Sequence, residues 1–133
     1  MAVTMTCKLI RAGEAYVGQQ GFTHFAGLTG ATAGARGLCM TVLPLPDGAR
    51  AKTHLHRGIE TAAYIMEGEV DMYYGERLEH FLQARAGEYV YVPADVPHLV
   101  LNRSGAPARA VVAHSAADDQ EGIVLLPELD GLV

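Results

Sequence analysis

The placement of glycine and proline limits what this chain can fold into. There are 15 Gly and 6 Pro among 133 residues, and they are spread along the sequence instead of pooled in one linker. Glycine destabilises helix and strand interiors, and proline breaks helices, so long regular elements have little room. Between these punctuating residues lie short runs rich in Val, Leu, Tyr and Met, at 38–43, 61–66, 69–74, 88–92, 99–101, 108–113 and 123–126. Runs of this length bounded by turn-forming residues predict strands. A long apolar stripe of 3.6-residue period with capping residues is absent. The pattern predicts an all-β sandwich or barrel. The first thirty residues are less regular and give two further strands, at 8–11 and 22–26, followed by a Gly/Ala/Thr-rich loop over 28–37. The stretch 118–133 reads as a turn, a strand and an irregular tail.

A chain of this length predicts one domain, 1–133, able to bury roughly two-thirds of its unfolded surface. Hydrophobic residues make up 50% and charged residues 19%, which excludes a disordered chain. The net charge of −5 and the scattered Lys and Arg disfavour nucleic acid as a partner. Cys7 and Cys39 are the only cysteines and form no CxxC pair, so no dense disulfide framework is expected. The N-terminus lacks the apolar core of a signal peptide, and no run approaches the length that spans a bilayer. These features predict a cytoplasmic protein without a membrane partner.

Histidine carries the chemical information. Six are present, at 24, 54, 56, 80, 98 and 114, and two form His54-Leu55-His56 with Glu60 close behind. Side chains at i and i+2 of a strand share a face about 6.5–7 Å apart, a separation that lets two imidazoles converge on one ion with bonds near 2.1 Å. The segment Arg57-Gly58-Ile59 can turn the chain and bring Glu60 back to the same interior. A fourth ligand must then come from another strand.

The stretch from Gly48 through His54, His56 and Glu60 to Gly68 resembles the first motif of the cupin superfamily: a Gly, five residues, His-x-His, three or four residues, a Glu, and a later Gly. The stretch Gly87 to Asn102, with Pro93 and His98, resembles the second, a Gly, five residues, Pro-x-Gly, two residues, His, three residues and Asn. Asp95 stands where that family usually has the Gly of Pro-x-Gly. Asp tolerates a left-handed turn better than most residues, so the departure touches the turn and not the site. The resemblance covers 48–102, with 1–47 and 103–133 as flanking strands and dimerisation segments. It implies a double-stranded β-helix, a jelly-roll barrel with a divalent metal inside, and His54, His56, Glu60 and His98 as its ligands. Three imidazoles and one carboxylate suit Fe, Mn, Ni, Co or Zn, and four ligands on an octahedral ion leave two positions open.

The resemblance implies a metalloenzyme acting on a small oxygenated metabolite, in the first instance an Fe- or Mn-dependent oxygenase. A metal-dependent isomerase, decarboxylase or lyase and a non-catalytic small-ligand module are the alternatives. Tyr64 shares strand phase with Glu60, so it is a candidate acid–base residue if that face is the interior. Val100 shares the phase of His98 and reads as cavity wall. Met40 and Met72 read as core or cavity lining. Lys52, with the parity of His54, reads as a solvated strand end. His24, His80 and His114 read as surface or core residues, and Asp118–Glu121 as a solvated turn. Apolar segments at 22–28 and 123–129 exceed what a solvent-facing flap needs and predict a homodimer.

Overall fold

The computed structural model describes residues 6–133; residues 1–5, part of the N-terminal segment discussed above, lie outside the described residues. Eleven strands follow in order: β1 Ala15–Val17, β2 Thr23–Leu28, β3 Cys39–Leu45, β4 His54–His56, β5 Thr61–Glu67, β6 Glu69–Tyr74, β7 His80–Arg85, β8 Tyr89–Val92, β9 His98–Leu101, β10 Ala108–His114 and β11 Ile123–Leu125. A one-turn helix, α1 Gly30–Ala33, lies in the loop after β2, and a 3-10 helix at Pro127–Leu132 closes the chain. Among the described residues no helix is long and apolar enough to cross a membrane.

The strands form two antiparallel sheets, one ordered β1-β2-β3-β10-β5-β8 and the other β11-β4-β9-β6-β7. The fold is the all-β double-stranded β-helix that the sequence predicts. Along β3 the burial alternates without a break, with Cys39, Thr41, Leu43 and Leu45 inward. Period-2 alternation of this kind is what a sheet with one face on a core requires. Leu43, Leu45, Ile65, Val70, Ala84 and Ala110 join in one cluster between the sheets. A second cluster of Leu78, Leu99, Leu101 and Leu129 lies behind β9, with Leu129 contributed by the terminal 3-10 helix. β9 is therefore covered on both faces. Its Leu99 side is sealed, which leaves the His98 side for the interior.

Two of the expected elements differ. Residues 8–11 form no strand, and the first strand is instead β1. β7 has no run of β-branched residues to announce it. It forms at a sheet edge by pairing along its length with β6, from Glu69 opposite Arg85 to Tyr74 opposite His80.

Two turns position the site. Gly68 has φ +79, and a Cβ there would come within 2.5 Å of the Pro107 carbonyl, so only glycine lets the β5–β6 turn pack against β10. Asp95 has φ +67, which answers the motif's expectation of a left-handed residue before His98. Its carboxylate accepts from the Gly58 N–H at 2.9 Å, and its own N–H donates to the His56 carbonyl at 3.0 Å. Asp95 thus ties the loop after β4 to the loop before β9.

Candidate metal centre

β4 and β9 are neighbours, and His54 stands directly opposite His98 in their register. Opposed residues of an antiparallel pair have Cβ atoms about 4.5–5.5 Å apart, and these two rings lie 4.4 Å apart centre to centre. His56 is two residues along β4, on the same face, with its ring 5.1 Å from that of His54 and 5.8 Å from that of His98. One ring nitrogen from each falls within 4.8 Å of the others, and all three residues are buried.

Hydrogen bonds to the backbone fix two of the rings. The Nδ1–H of His54 donates to the Lys52 carbonyl at 2.8 Å, and that of His98 donates to the Val96 carbonyl at 2.9 Å. A carbonyl only accepts, so in both rings the proton sits on Nδ1 and Nε2 keeps its lone pair. A bond of this type on the far nitrogen orients a metal-ligating imidazole. Among the described residues the Nδ1 of His56 is buried without a hydrogen-bond partner. Burial pulls the three pKa values down to about 4 for His54, about 3 for His56 and about 3 for His98. Repulsion among the histidines adds to burial in these values. At neutral pH the cluster is uncharged and offers lone pairs, the state that metal binding needs.

Glu60 is not part of this cluster. Its side chain is exposed, and its Oε1 accepts from the Tyr91 hydroxyl at 2.6 Å. Ile59 turns inward and is buried, so alternation sends Glu60 outward and the next residue, Thr61, inward. The longer spacing that the first motif permits, four residues after the second His, ends on Thr61. Thr61 therefore takes the interior place where the motif anticipates a carboxylate.

The same phase moves Tyr64 out of the site. Thr61, Ala63 and Ile65 line the central cavity, whereas Tyr64 is 38% exposed and packs against Tyr89, the rings tilted, across the β5–β8 pair. Tyr64 has no access to the cavity, contrary to the sequence expectation. Val100 and Met72 do line the cavity, and Lys52 is exposed, as expected. Met40 is exposed on the outer face of β3, not in the core.

Two histidines outside the motifs enter the cavity wall, His24 and His114. His114 is opposite Thr61 in the β10–β5 register, and its Nδ1 is 2.8 Å from the Thr61 hydroxyl. Its ring lies 4.6 Å from that of His56, and burial lowers its pKa to about 4. His24 stacks on Tyr16 with ring centres 5.3 Å apart, and its Nε2 is 3.2 Å from the Gln20 amide nitrogen. Its Nδ1 faces the Asp119 carboxylate at 3.6 Å. Asp119 is buried, in contrast to the solvated turn expected for 118–121, and accepts from the Tyr16 hydroxyl at 2.7 Å and the Gln120 amide at 3.1 Å. Burial lowers the pKa of His24 and outweighs the opposing pull of Asp119; Tyr16 is held above the usual tyrosine range by burial, then by its bond to Asp119. No spacing signal could have joined these residues, because about a hundred positions separate Tyr16 from Asp119. His80 lies away from the cavity, exposed beside Tyr74.

Residues 41–114, more than half of the chain, match the family model of the Cupin domain. The chain is a cupin. Comparison with curated proteins gives no significant match. Among solved structures, this cupin is similar to an uncharacterized conserved protein with a double-stranded beta-helix domain from Klebsiella pneumoniae subsp. pneumoniae MGH 78578. The TM-score is 0.61 at 16% identity, over 70% of this chain and 73% of that one. It is also similar to TT1209 from Thermus thermophilus, with a TM-score of 0.56 at 29% identity over 62% and 75% of the two chains. A recombinant oxalate oxidase in complex with glycolate aligns with a TM-score of 0.59 at 23% identity, over 67% of this cupin and 46% of that chain. At that identity the likeness to oxalate oxidase is one of fold.

Proposed function

We propose that this cupin holds one divalent transition metal on His54, His56 and His98 and uses it as an oxidoreductase on a small oxygenated metabolite with dioxygen. The observation that carries the reading is the convergence of three buried, uncharged imidazoles, two of them locked by backbone carbonyls with Nε2 free. Borderline nitrogen donors suit Fe, Mn, Co, Ni or Zn, and Cys39, the buried thiol, is held protonated by burial with a pKa pushed up to about 11. The donor set therefore fits such an ion. When bound, the ion would supply a Lewis acid or one-electron centre beside the three imidazoles.

The protein's own side chains do the rest. The aliphatic walls exclude bulk water, which strengthens electrostatic interactions inside the barrel. His24 lines the cavity as a fixed polar group, its Nε2 accepting from the Gln20 amide and its Nδ1 turned to the Asp119 carboxylate. Tyr16 donates to Asp119 and holds its carboxylate beside His24. The test is dioxygen uptake by Fe(II)-loaded protein over a set of diketones, diols, catechols and 2-oxo acids. Uptake that disappears in His98→Ala supports the reading. A full set without uptake, on protein of verified iron content, refutes the oxygenase assignment and leaves the metal site standing.

A further inference from the structure

The make-up of the cavity narrows the class of ligand, on the assumption of the three-imidazole metal site just proposed. Between the sheets lies a partly open cavity of about 90 Å³, smaller than the roughly 150 Å³ that takes benzene, so it suits a small ligand. Its polar lining is confined to Gln20, Thr61 and the five histidines, and the remaining wall is hydrocarbon, from residues such as Phe22, Leu43, Ile65, Val70 and Val100.

The charges in this cavity are equally one-sided. Imidazole ligands bring no negative charge, Glu60 faces solvent, and Thr61 supplies a hydroxyl where a carboxylate would have offset the charge of the ion. Asp119, the buried carboxylate nearest this end, is engaged by Tyr16 and Gln120 behind His24. With Glu60 and Asp119 both outside the donor set, a divalent ion here is left with uncompensated positive charge, so an anionic chelating group is favoured beside it. A second charged group at the far end of the ligand would meet only hydrocarbon and lose its hydration without a partner.

We infer that the ligand of this cupin is a small monoanion with a chelating head and a short, unbranched or lightly branched hydrocarbon body. A dicarboxylate is the wrong shape of charge for this interior. The head lies against His54, His56 and His98, and the body runs between the sheets past Ala63, Val100 and Val112.

The test uses Co(II)-loaded protein titrated with 2-oxo acids and followed by the visible absorption of cobalt. Pyruvate, 2-oxobutyrate, 2-oxovalerate and 2-oxohexanoate share one chelating head and lengthen by a methylene each. Affinity should rise about four-fold per methylene until the cavity is full. 2-Oxoglutarate, with the same head and a distal carboxylate, should bind at least about ten-fold more weakly than 2-oxohexanoate. Ala63→Leu should move the optimum to a shorter chain and Val112→Ala to a longer one, with cobalt content unchanged in both. A flat chain-length series, or 2-oxoglutarate as the tightest ligand, overturns this inference while leaving the metal site intact. Failure of cobalt to bind at the three histidines overturns the metal site and this inference with it.

Discussion

Replacing Asp95 separates two contributions that the structure assigns to one residue. Asp95 adopts φ +67, and its Oδ1 accepts from the Gly58 N–H at 2.9 Å. Alanine at this position keeps the left-handed backbone without the local stabilisation that Asp provides, at a cost of about 1 kcal/mol. It also loses a solvent-exposed hydrogen bond worth about 1 kcal/mol. Asp95→Ala should therefore destabilise the fold by about 2 kcal/mol, and Asp95→Gly, which relieves the backbone and loses only the hydrogen bond, by about 1 kcal/mol. For a domain of this size each kcal/mol lowers Tm by roughly 3–5 °C, so the expected drops are about 6–10 °C and about 3–5 °C. Thermal melts of chelator-treated protein measure both. Both variants keep the backbone N–H that donates to the His56 carbonyl, so Co(II) binding should be preserved in each. Asp95→Gly melting at or above the wild-type temperature would refute the role given to the carboxylate.

Glu60→Gln and Tyr64→Phe should leave Co(II) affinity unchanged, since one side chain bonds Tyr91 outside the barrel and the other packs against Tyr89. A loss of about ten-fold in either, measured by titration, would return that residue to the site. In metal-free protein the depressed pKa values of His54, His56, His98 and His114, about 3 to 4 against an unfolded value near 6.5, make stability complete above about pH 6.5. It is lost as pH falls towards about 4 to 3, because the unfolded chain binds protons that the folded one refuses. Tm should be level between about pH 7 and 8 and fall steeply below about pH 6; a Tm that rises on acidification would contradict the buried neutral state. We propose a homodimer, with the exposed apolar side chains Phe25 and Leu125 lying in the two segments that the sequence singles out; light scattering showing only a 14.2 kDa particle at micromolar concentration would disprove it.

The fold was legible because its two signals are local. Dispersed turn residues delimit strands, and strands such as β6 could be bounded from sequence to the residue. The triad of His54, His56 and His98 was legible for the same reason, since i and i+2 on one strand share a face and the second motif supplies the opposing strand. The phase after Gly58 was not. Whether Glu60 or Thr61 faces inward depends on the burial of Ile59, a packing outcome that a spacing of three or four residues leaves open. That one-residue ambiguity also misdirected Tyr64, because a shift of one flips every side chain of a strand. His24 and Asp119 were illegible for a different reason. Their association is tertiary, made by Tyr16 and Gln120 across the chain, and neither residue sits in a motif.

The central claim is that three histidines, and not Glu60, hold a metal inside this barrel. The direct measurement is metal content by elemental analysis after loading and desalting, for the wild type, His54→Ala, His56→Ala, His98→Ala and Glu60→Ala. The account predicts about one transition-metal ion per chain in the wild type and in Glu60→Ala, and less than about a tenth of that in each histidine variant. Full occupancy in any of the three histidine variants, or loss of the ion in Glu60→Ala, would contradict it.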